Sequence, residues 1–151
     1  MYKGIDVANY IIGYTNSLNN PVTNLKLQQI LYFIQGYSYR ILDKAFILDY
    51  FETWPYGPIV RDICIEFSRF GSLLITDFYN SNYENIYFED RDKNFLDQII
   101  KELNKFSVYK LVSASHAKNS PWDIKYEKDK PNIINKDDIE KFFKELDNEQ
   151  K

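Results

Sequence analysis

Apolar residues recur at intervals of three or four along most of this chain, which is the spacing of one face of a helix. Ile5, Ala8 and Ile12 lie at i, i+3 and i+7 and predict a first helix that ends near Tyr14. The stretch TNSLNNP follows it. Because Asn, Ser and Pro favour turns over helix interiors, this stretch separates the first helix from the next.

A second, longer helix begins after this turn. Thr23 or Asn24 can cap it by accepting a hydrogen bond from a free backbone N–H of the first turn. Further apolar side chains widen the face, so we expect this helix to lie at the centre of the fold. Its predicted buried face consists of Leu27, Ile30, Leu31, Ile34 and Ile41.

The next segment changes from helical spacing to a run of aromatic and β-branched residues. Residues 47–54 predict a strand that ends at a proline. In the turn that follows, Gly57 permits a positive φ and Pro58 suits the first position of a helix. The third helix is therefore predicted over about residues 59–70, with Gly71 as its end.

The second half of the chain predicts a short strand and three or four more helices. Ile86 to Phe88 are predicted to form the strand, inside a polar connection. Asp92 and Ser107 are predicted N-caps of the fourth and fifth helices. Pro121 occupies the first position of a further short helix, and Asn135 begins the last one.

Together these elements predict a mainly α (α+β) fold. It consists of about six helices in a bundle, with a small antiparallel sheet of two or three short strands. With 151 residues, the chain fits a single domain. We expect its core to span about residues 5–146 and its tail, residues 147–151, to fray.

Charge and composition exclude several classes of protein. The net charge of −3 argues against electrostatic binding of nucleic acid. Asn24, Lys26, Gln28 and Gln29 could contact base edges from the start of the second helix, but such residues are also ordinary solvent-facing helix formers. No stretch is long and apolar enough for a membrane span, and no secretory signal is visible, so we expect a cytoplasmic protein.

Residues able to carry chemistry are few. His116 is the only histidine, and Ser113 lies three residues before it, but the chain has no glycine-flanked nucleophile. Cys64 is the only cysteine, and its pairing with His116 stays open. Neither a metal-ligand cluster nor a glycine-rich phosphate loop is visible. We predict no catalytic, metal or cofactor site and no cofactor, with a hydrolase built on His116 as the remaining enzymatic alternative.

Three blocks of sequence are more specific than these patterns. They are TNLKLQQILYF (23–33), FETWPYGPIV (51–60) and SHAKNSPWDI (115–124). Together they resemble the Panacea domain, the antitoxin domain of SocA-like and GepA-type phage-associated proteins. The resemblance extends from about residue 5 to residue 146. It departs from the family at Gln29, where Lys is common, and in a more aromatic segment at 72–91.

The resemblance implies an antitoxin that neutralises a cognate toxin by direct protein–protein binding. Family members pair with unrelated toxins, so the identity of the toxin does not carry over. The alternative is a phage-associated adaptor or transcriptional regulator that contacts a host protease or DNA. Whether the chain forms a homo-oligomer stays open.

The same blocks supply the candidate site residues. Large aromatic residues beside tight turns serve either as interface anchors or as plugs of a core edge. We expect Lys26 and Gln28 to be exposed, and their role in binding depends on the resemblance. We expect His116 to hydrogen-bond to the segment around Trp122. The partner-binding candidates are Trp54, Tyr56, Lys26, Gln28 and Trp122, and the structural residues are Asn24, Gly57, Pro58, His116 and Pro121.

Overall fold

The computed structural model describes residues 1–76 and 82–149, and their arrangement is mainly helical. Two single 3₁₀ turns supplement the α-helices. The predicted mainly α (α+β) class is confirmed. The elements in chain order are α1 (Gly4–Ser17), α2 (Asn24–Ile41), β1 (Phe51–Trp54), β2 (Gly57–Ile59), α3 (Arg61–Glu66), α4 (Asp90–Leu103), α5 (Val108–Ser115), α6 (Pro121–Lys125), β3 (Ile133–Ile134) and α7 (Lys136–Glu149).

Helix α2 lies at the centre, as its pattern predicts. Helices α1, α4, α5 and α7 all pack against it. Gly36 allows a close approach of α7, because a Cβ there would lie 2.3 Å from the Phe143 ring. Four of the five residues predicted for the buried face of α2 are fully buried, but the expectation for Ile41 was wrong. Ile41 is 56% exposed because it ends the helix, beside an open groove between α2 and α4.

The three strands form one antiparallel sheet in the order β2-β1-β3. Trp54 pairs with Gly57, so residues 55 and 56 form a two-residue hairpin turn. Gly57 has the positive φ that the sequence predicts, at +121°. The prediction that Pro58 starts a helix was wrong, because it lies in the edge strand opposite Thr53. An edge strand tolerates proline since its missing N–H need not face a partner strand.

Helix α3 is consequently shorter than predicted. It begins at Arg61 and ends at Glu66, and a 3₁₀ turn over Ser68–Phe70 completes the predicted segment. Gly71 ends this turn with a φ of +56°. Ile63 and Phe67 of this segment are buried.

Side-chain caps begin three of the helices as predicted. Thr23, Ser107 and Ser120 each accept a hydrogen bond, at 3.2 Å, from the backbone N–H three residues later. Pro121 occupies the first position of α6. The prediction that Asp92 caps α4 was wrong, because α4 starts at residue 90 and its N-cap, Glu89, makes no side-chain cap.

The predicted strand over Ile86 to Phe88 was also wrong. These residues follow a 3₁₀ turn and pair with none of the described strands. Phe88 is instead buried against the rings of Tyr2 and Tyr10, with centroids 4.8 and 5.3 Å away. Packing of a single ring, rather than strand pairing, fixes this segment.

Two predictions fall partly outside the described residues. The aromatic segment 72–91 includes residues 77–81, and the tail includes residues 150 and 151. Helix α7 is described to Glu149, so fraying of the tail stays a prediction.

A buried glutamine of α2 holds the chain between α2 and the sheet. The Gln35 side chain is fully buried, and its Oε1 accepts hydrogen bonds from the N–H groups of Phe46 and Ile47, at 3.0 and 2.8 Å. Its Nε2 donates to the Ile47 carbonyl at 3.0 Å. The backbone N–H of Tyr2 donates to the Phe46 carbonyl, and the Tyr2 carbonyl accepts from the Leu48 N–H. The N-terminal residues therefore pair with the same segment that Gln35 holds.

Asp92, in the first turn of α4, connects this helix to Tyr2 and Lys44. Its Oδ2 accepts hydrogen bonds from the Tyr2 hydroxyl at 2.5 Å and the Lys44 ammonium at 2.9 Å. Burial by itself raises the pKa of Asp92, but these two bonds outweigh burial and the pKa lies below its usual value. Burial, together with the bond to Asp92, raises the pKa of Tyr2 to about 12.

This interaction predicts a pH-dependent contribution to stability. Since the folded pKa of Asp92 lies below the unfolded value of about 3.9, the stabilisation is present above that pH. It is lost as the pH falls through the folded pKa. We expect Asp92→Asn to lower the free energy of unfolding by roughly 2 kcal/mol at pH 7. Urea denaturation at several pH values measures it, and the difference from wild type should shrink below about pH 4.

Asp90→Asn is the matched control, because Asp90 is an exposed carboxylate in the same first turn of α4. It should change stability by only about 0.5 kcal/mol, through the helix dipole. Equal losses in the two variants would contradict a specific role for Asp92.

Candidate functional site

The three sequence blocks of the resemblance meet at the hairpin between β1 and β2. From α2, the Gln29 Nε2 donates a hydrogen bond to the Tyr56 carbonyl at 3.0 Å. One residue earlier, the Gln28 Oε1 accepts from the Val60 N–H at 3.0 Å. Both glutamine side chains are fully buried, so α2 fixes the turn and the end of β2 from beneath.

Gln28 also belongs to a buried relay of amides. Its Nε2 donates to the Asn24 Oδ1 at 3.1 Å, and the Asn24 Nδ2 donates to the Cys64 carbonyl at 2.9 Å. The expectation that Gln28 is exposed was therefore wrong. The helical spacing of apolar residues cannot distinguish a solvent-exposed amide side chain from a buried one that hydrogen-bonds to a distant part of the backbone. The position of Gln28 could have indicated that it is buried, because Gln28 and Gln35 lie seven residues apart on a helical stripe that includes Leu31.

An aromatic stack holds the opposite side of the hairpin. The Trp122 indole Nε1 donates to the Trp54 carbonyl at 2.8 Å. His116 stacks on Trp122 with ring centroids 3.9 Å apart and planes inclined by 6°. Tyr126 stacks on the same indole at 4.4 Å. His116 therefore holds the Trp122 segment by stacking, and the expected hydrogen bond between them is not formed.

Gly57 lies where these two supports converge. A Cβ at this position would lie 2.7 Å from the Gln29 Nε2 and 2.7 Å from the Ser115 Oγ. Its positive φ further disfavours any side chain. The close approach of α2 and α5 to the turn thus requires glycine.

The supported turn presents Tyr56 to solvent. Its side chain is 64% exposed, and Pro55 beside it is exposed as well. Trp54 is half-buried, with its indole N–H donating to the Glu52 carboxylate at 3.0 Å. A groove of about 250 Å³ borders the turn, and Trp54, Pro55 and Tyr126 lie among its lining residues. We name Trp54, Pro55 and Tyr56 the hairpin face.

The remaining candidates lie elsewhere or serve the core. Trp122 is buried, at 7% exposure, and contributes to the stack beneath the hairpin face. Lys26 is half-buried rather than exposed, and its Nζ donates to the Asn104 carbonyl at 3.1 Å rather than to the hairpin. Of the five partner-binding candidates, Trp54 and Tyr56 form one accessible surface.

Burial shifts the pKa of both candidate catalytic side chains, His116 and Cys64. Burial lowers the pKa of His116, although the Tyr56 carbonyl and the Asp123 carboxylate act in the opposite direction. Burial raises the pKa of the Cys64 thiol, which disfavours the reactive thiolate. The Cys64 sulfur contacts the Asn24 amide at 3.7 Å.

Among residues 1–76 and 82–149, no group of three or more His, Cys, Asp or Glu side chains is placed to hold a metal ion. Within the same ranges, none of the helices has the length and apolarity needed to cross a membrane.

Comparison with known proteins supports the resemblance of the three blocks. The family model described as "Antitoxin SocA-like, Panacea domain" matches residues 27–123. A curated relative, "Antitoxin SocA" of Caulobacter vibrioides (strain NA1000 / CB15N), is 28% identical over 126 residues. The match covers 78% of this chain and 67% of the relative. No solved structure matches significantly. The predicted family is thereby confirmed.

Gly57→Ala tests the support of the hairpin. We expect a loss of roughly 3 kcal/mol in the free energy of unfolding, since backbone strain adds to the clash with Gln29 and Ser115. Gly71→Ala is the control, because Gly71 also has a positive φ but no atom lies within 4 Å of its added Cβ. Chemical denaturation of both variants measures the difference. A loss no larger than that of Gly71→Ala would show that the close approach is unimportant.

Proposed function

Because this chain belongs to the SocA-like Panacea-domain antitoxin family, we propose that it neutralises a cognate toxin by binding it directly through the hairpin face. The family supplies the antitoxin role. The location of the contact comes from the geometry of the hairpin. The toxin is a protein whose identity the family does not specify, and we place the encounter in the cytoplasm.

The observation that carries this proposal is the contrast between a fixed backbone and an exposed ring. The Tyr56 carbonyl is held by the Gln29 amide, and its neighbour Trp54 is held by Trp122. The Tyr56 ring nevertheless remains 64% exposed. An aromatic anchor on a rigid turn loses little conformational entropy on binding, which favours it as the centre of an interface.

We further propose that neutralisation requires no catalysis. The His116 ring lies flat against the Trp122 indole, with ring centroids 3.9 Å apart. Its Nε2 makes no hydrogen bond in the described part of the chain. A histidine used in this way supports the loop beneath the hairpin face rather than activating a nucleophile.

The alternative of a DNA-contacting regulator has less support from the geometry. Gln28 and Gln29, which could have contacted base edges, are fully buried and bonded to the hairpin and its flanks. Asn24 is also buried, at 8% exposure. The start of α2 therefore presents few base-reading groups. An adaptor that contacts a host protease is compatible with the same hairpin face and is distinguished by its partner.

The first experiment is a tagged pull-down from native cells, with the partner identified by mass spectrometry. The proposal predicts a stoichiometric protein that is toxic when expressed alone and harmless when co-expressed with this chain. Recovery of DNA or protease subunits without such a protein would replace the toxin with the adaptor or regulator function.

Tyr56→Ala then tests the contact surface. We expect it to weaken toxin binding by about 30-fold, as for a central aromatic anchor, and to reduce protection in co-expression. Its unfolding transition should stay within about 0.5 kcal/mol of wild type, because the exposed ring contributes little to the core. Titration calorimetry measures the affinity.

Tyr87→Ala is the matched control, since Tyr87 is 73% exposed and precedes α4 rather than lying in the hairpin. It should leave toxin affinity within about twofold of wild type. If Tyr56→Ala binds as tightly as this control, the hairpin face is not the toxin contact.

A further inference from the structure

A second surface, separate from the hairpin face, is formed between α2, α4 and α5. A groove of about 390 Å³ opens there, lined mainly by apolar side chains. Phe33 and Tyr37 line it from α2, and Leu111 and Ala114 line it from α5. Phe106, in the corner between α4 and α5, contributes to the wall and is 45% exposed. We name this depression the α2–α5 groove.

A second depression lies farther along α2, at its C-terminal end. Phe33, Tyr37 and Ile41 lie at i, i+4 and i+8 on the same stripe of α2, which spans about 12 Å. The second depression, of about 440 Å³, is lined by Ile41 and, from α4, by Ile99, with one basic and one acidic residue, Arg91 and Glu102, also in its wall. A stripe of this length matches about two turns of a bound helix, with anchors at i, i+3 or i+4 and i+7.

The charges around the α2–α5 groove are mainly positive. None of its lining residues is a carboxylate, and Lys110 is among them. Lys26 lies in the first turn of α2, and its Nζ reaches the C-terminal end of α4, where it donates to the Asn104 carbonyl. Neither Lys26 nor Lys110 has a carboxylate within ion-pair distance in the described ranges. Their charges are thus available to a ligand.

The sequence shows that this distribution is unusual for the chain. The whole protein carries 22 acidic and 19 basic residues. Yet the stretch from Leu103 to Trp122, which includes α5, contains three lysines and no Asp or Glu. The stretch from Val7 to Leu42, which includes α2, contains one Lys and one Arg and likewise no carboxylate. Helices α2 and α5, two of the three helices around the groove, are therefore cationic within an acidic protein.

We propose that the α2–α5 groove binds an acidic amphipathic helix of a protein partner. Leucine or aromatic anchors of that helix enter the two depressions, and its carboxylates face Lys110 and Lys26. The two depressions provide apolar burial, and the lysines favour an acidic over a basic helix. This binding does not depend on the hairpin face or on toxin neutralisation.

A designed peptide tests the proposal with the full chain. The probe is a fluorescein-labelled 16-residue helix with leucines at i, i+3, i+4 and i+7 and glutamates on its other positions. A second peptide keeps the leucines and replaces each glutamate with lysine. Fluorescence anisotropy should show binding of the acidic peptide that weakens with added salt, and at least about tenfold weaker binding of the basic one.

Variants of the chain then locate the site. Lys110→Glu should weaken binding of the acidic peptide by roughly three- to tenfold, because it reverses a charge in the wall of the groove. Lys118→Glu is the control, since it makes the same charge change at an exposed residue after α5 that does not line the groove. Circular dichroism should show that both variants remain folded.

Three results would overturn the proposal. The first is equal binding of the acidic and basic peptides, or no binding of either. The second is an equal effect of Lys110→Glu and Lys118→Glu. The third is a concentration-dependent dimer, seen by sedimentation velocity and abolished by Lys110→Glu, which would assign the groove to a second copy of this chain.

Discussion

The fold depends on satisfying the polar groups that α2 buries. This helix is enclosed on nearly every side, yet it carries three glutamine side chains with no solvent exposure. A buried amide without partners costs about 1–3 kcal/mol, and among the oxygen and nitrogen atoms of these three amides only the Gln29 Oε1 lacks a partner in the described chain. Gln35 bonds to residues 46 and 47, Gln29 to Tyr56 and Gln28 to Val60. The irregular chain between α2 and α3 is positioned by these bonds.

The same bonds produce a rigid hairpin with one exposed ring. Support from α2 fixes one side, and the stack of His116, Trp122 and Tyr126 fixes the other. Tyr56 is presented on the turn between them. The three blocks that resemble the family therefore share one structural role, because each contributes a hydrogen bond or a close contact to the hairpin. The cationic α2–α5 groove uses other residues of the same helix, so α2 organises both surfaces.

Local and periodic signals predicted many features correctly, although Ile41 and the cap at Asp92 were exceptions. Buried positions such as Ile34 follow helical spacing, and caps such as Ser107 need only their own first turn. Features that depend on distant partners were not predictable in this way. Pro58 suits a helix start locally, but pairing with β1 makes it a strand residue. The sequence around Gln28 predicts a solvent-exposed side chain, but in the fold its amide accepts a hydrogen bond from the distant Val60 N–H. The role of Trp122 likewise depends on a hydrogen bond to a backbone carbonyl 68 residues away.

Hydrogen–deuterium exchange of this chain, alone and in complex with the toxin recovered from native cells, tests the central claim most directly. The account predicts that amides of the hairpin, residues 54–60, exchange at least about tenfold more slowly in the complex, because partner contact further protects an already rigid turn. Unchanged exchange across the hairpin, with protection confined to surfaces such as α7, would contradict the account.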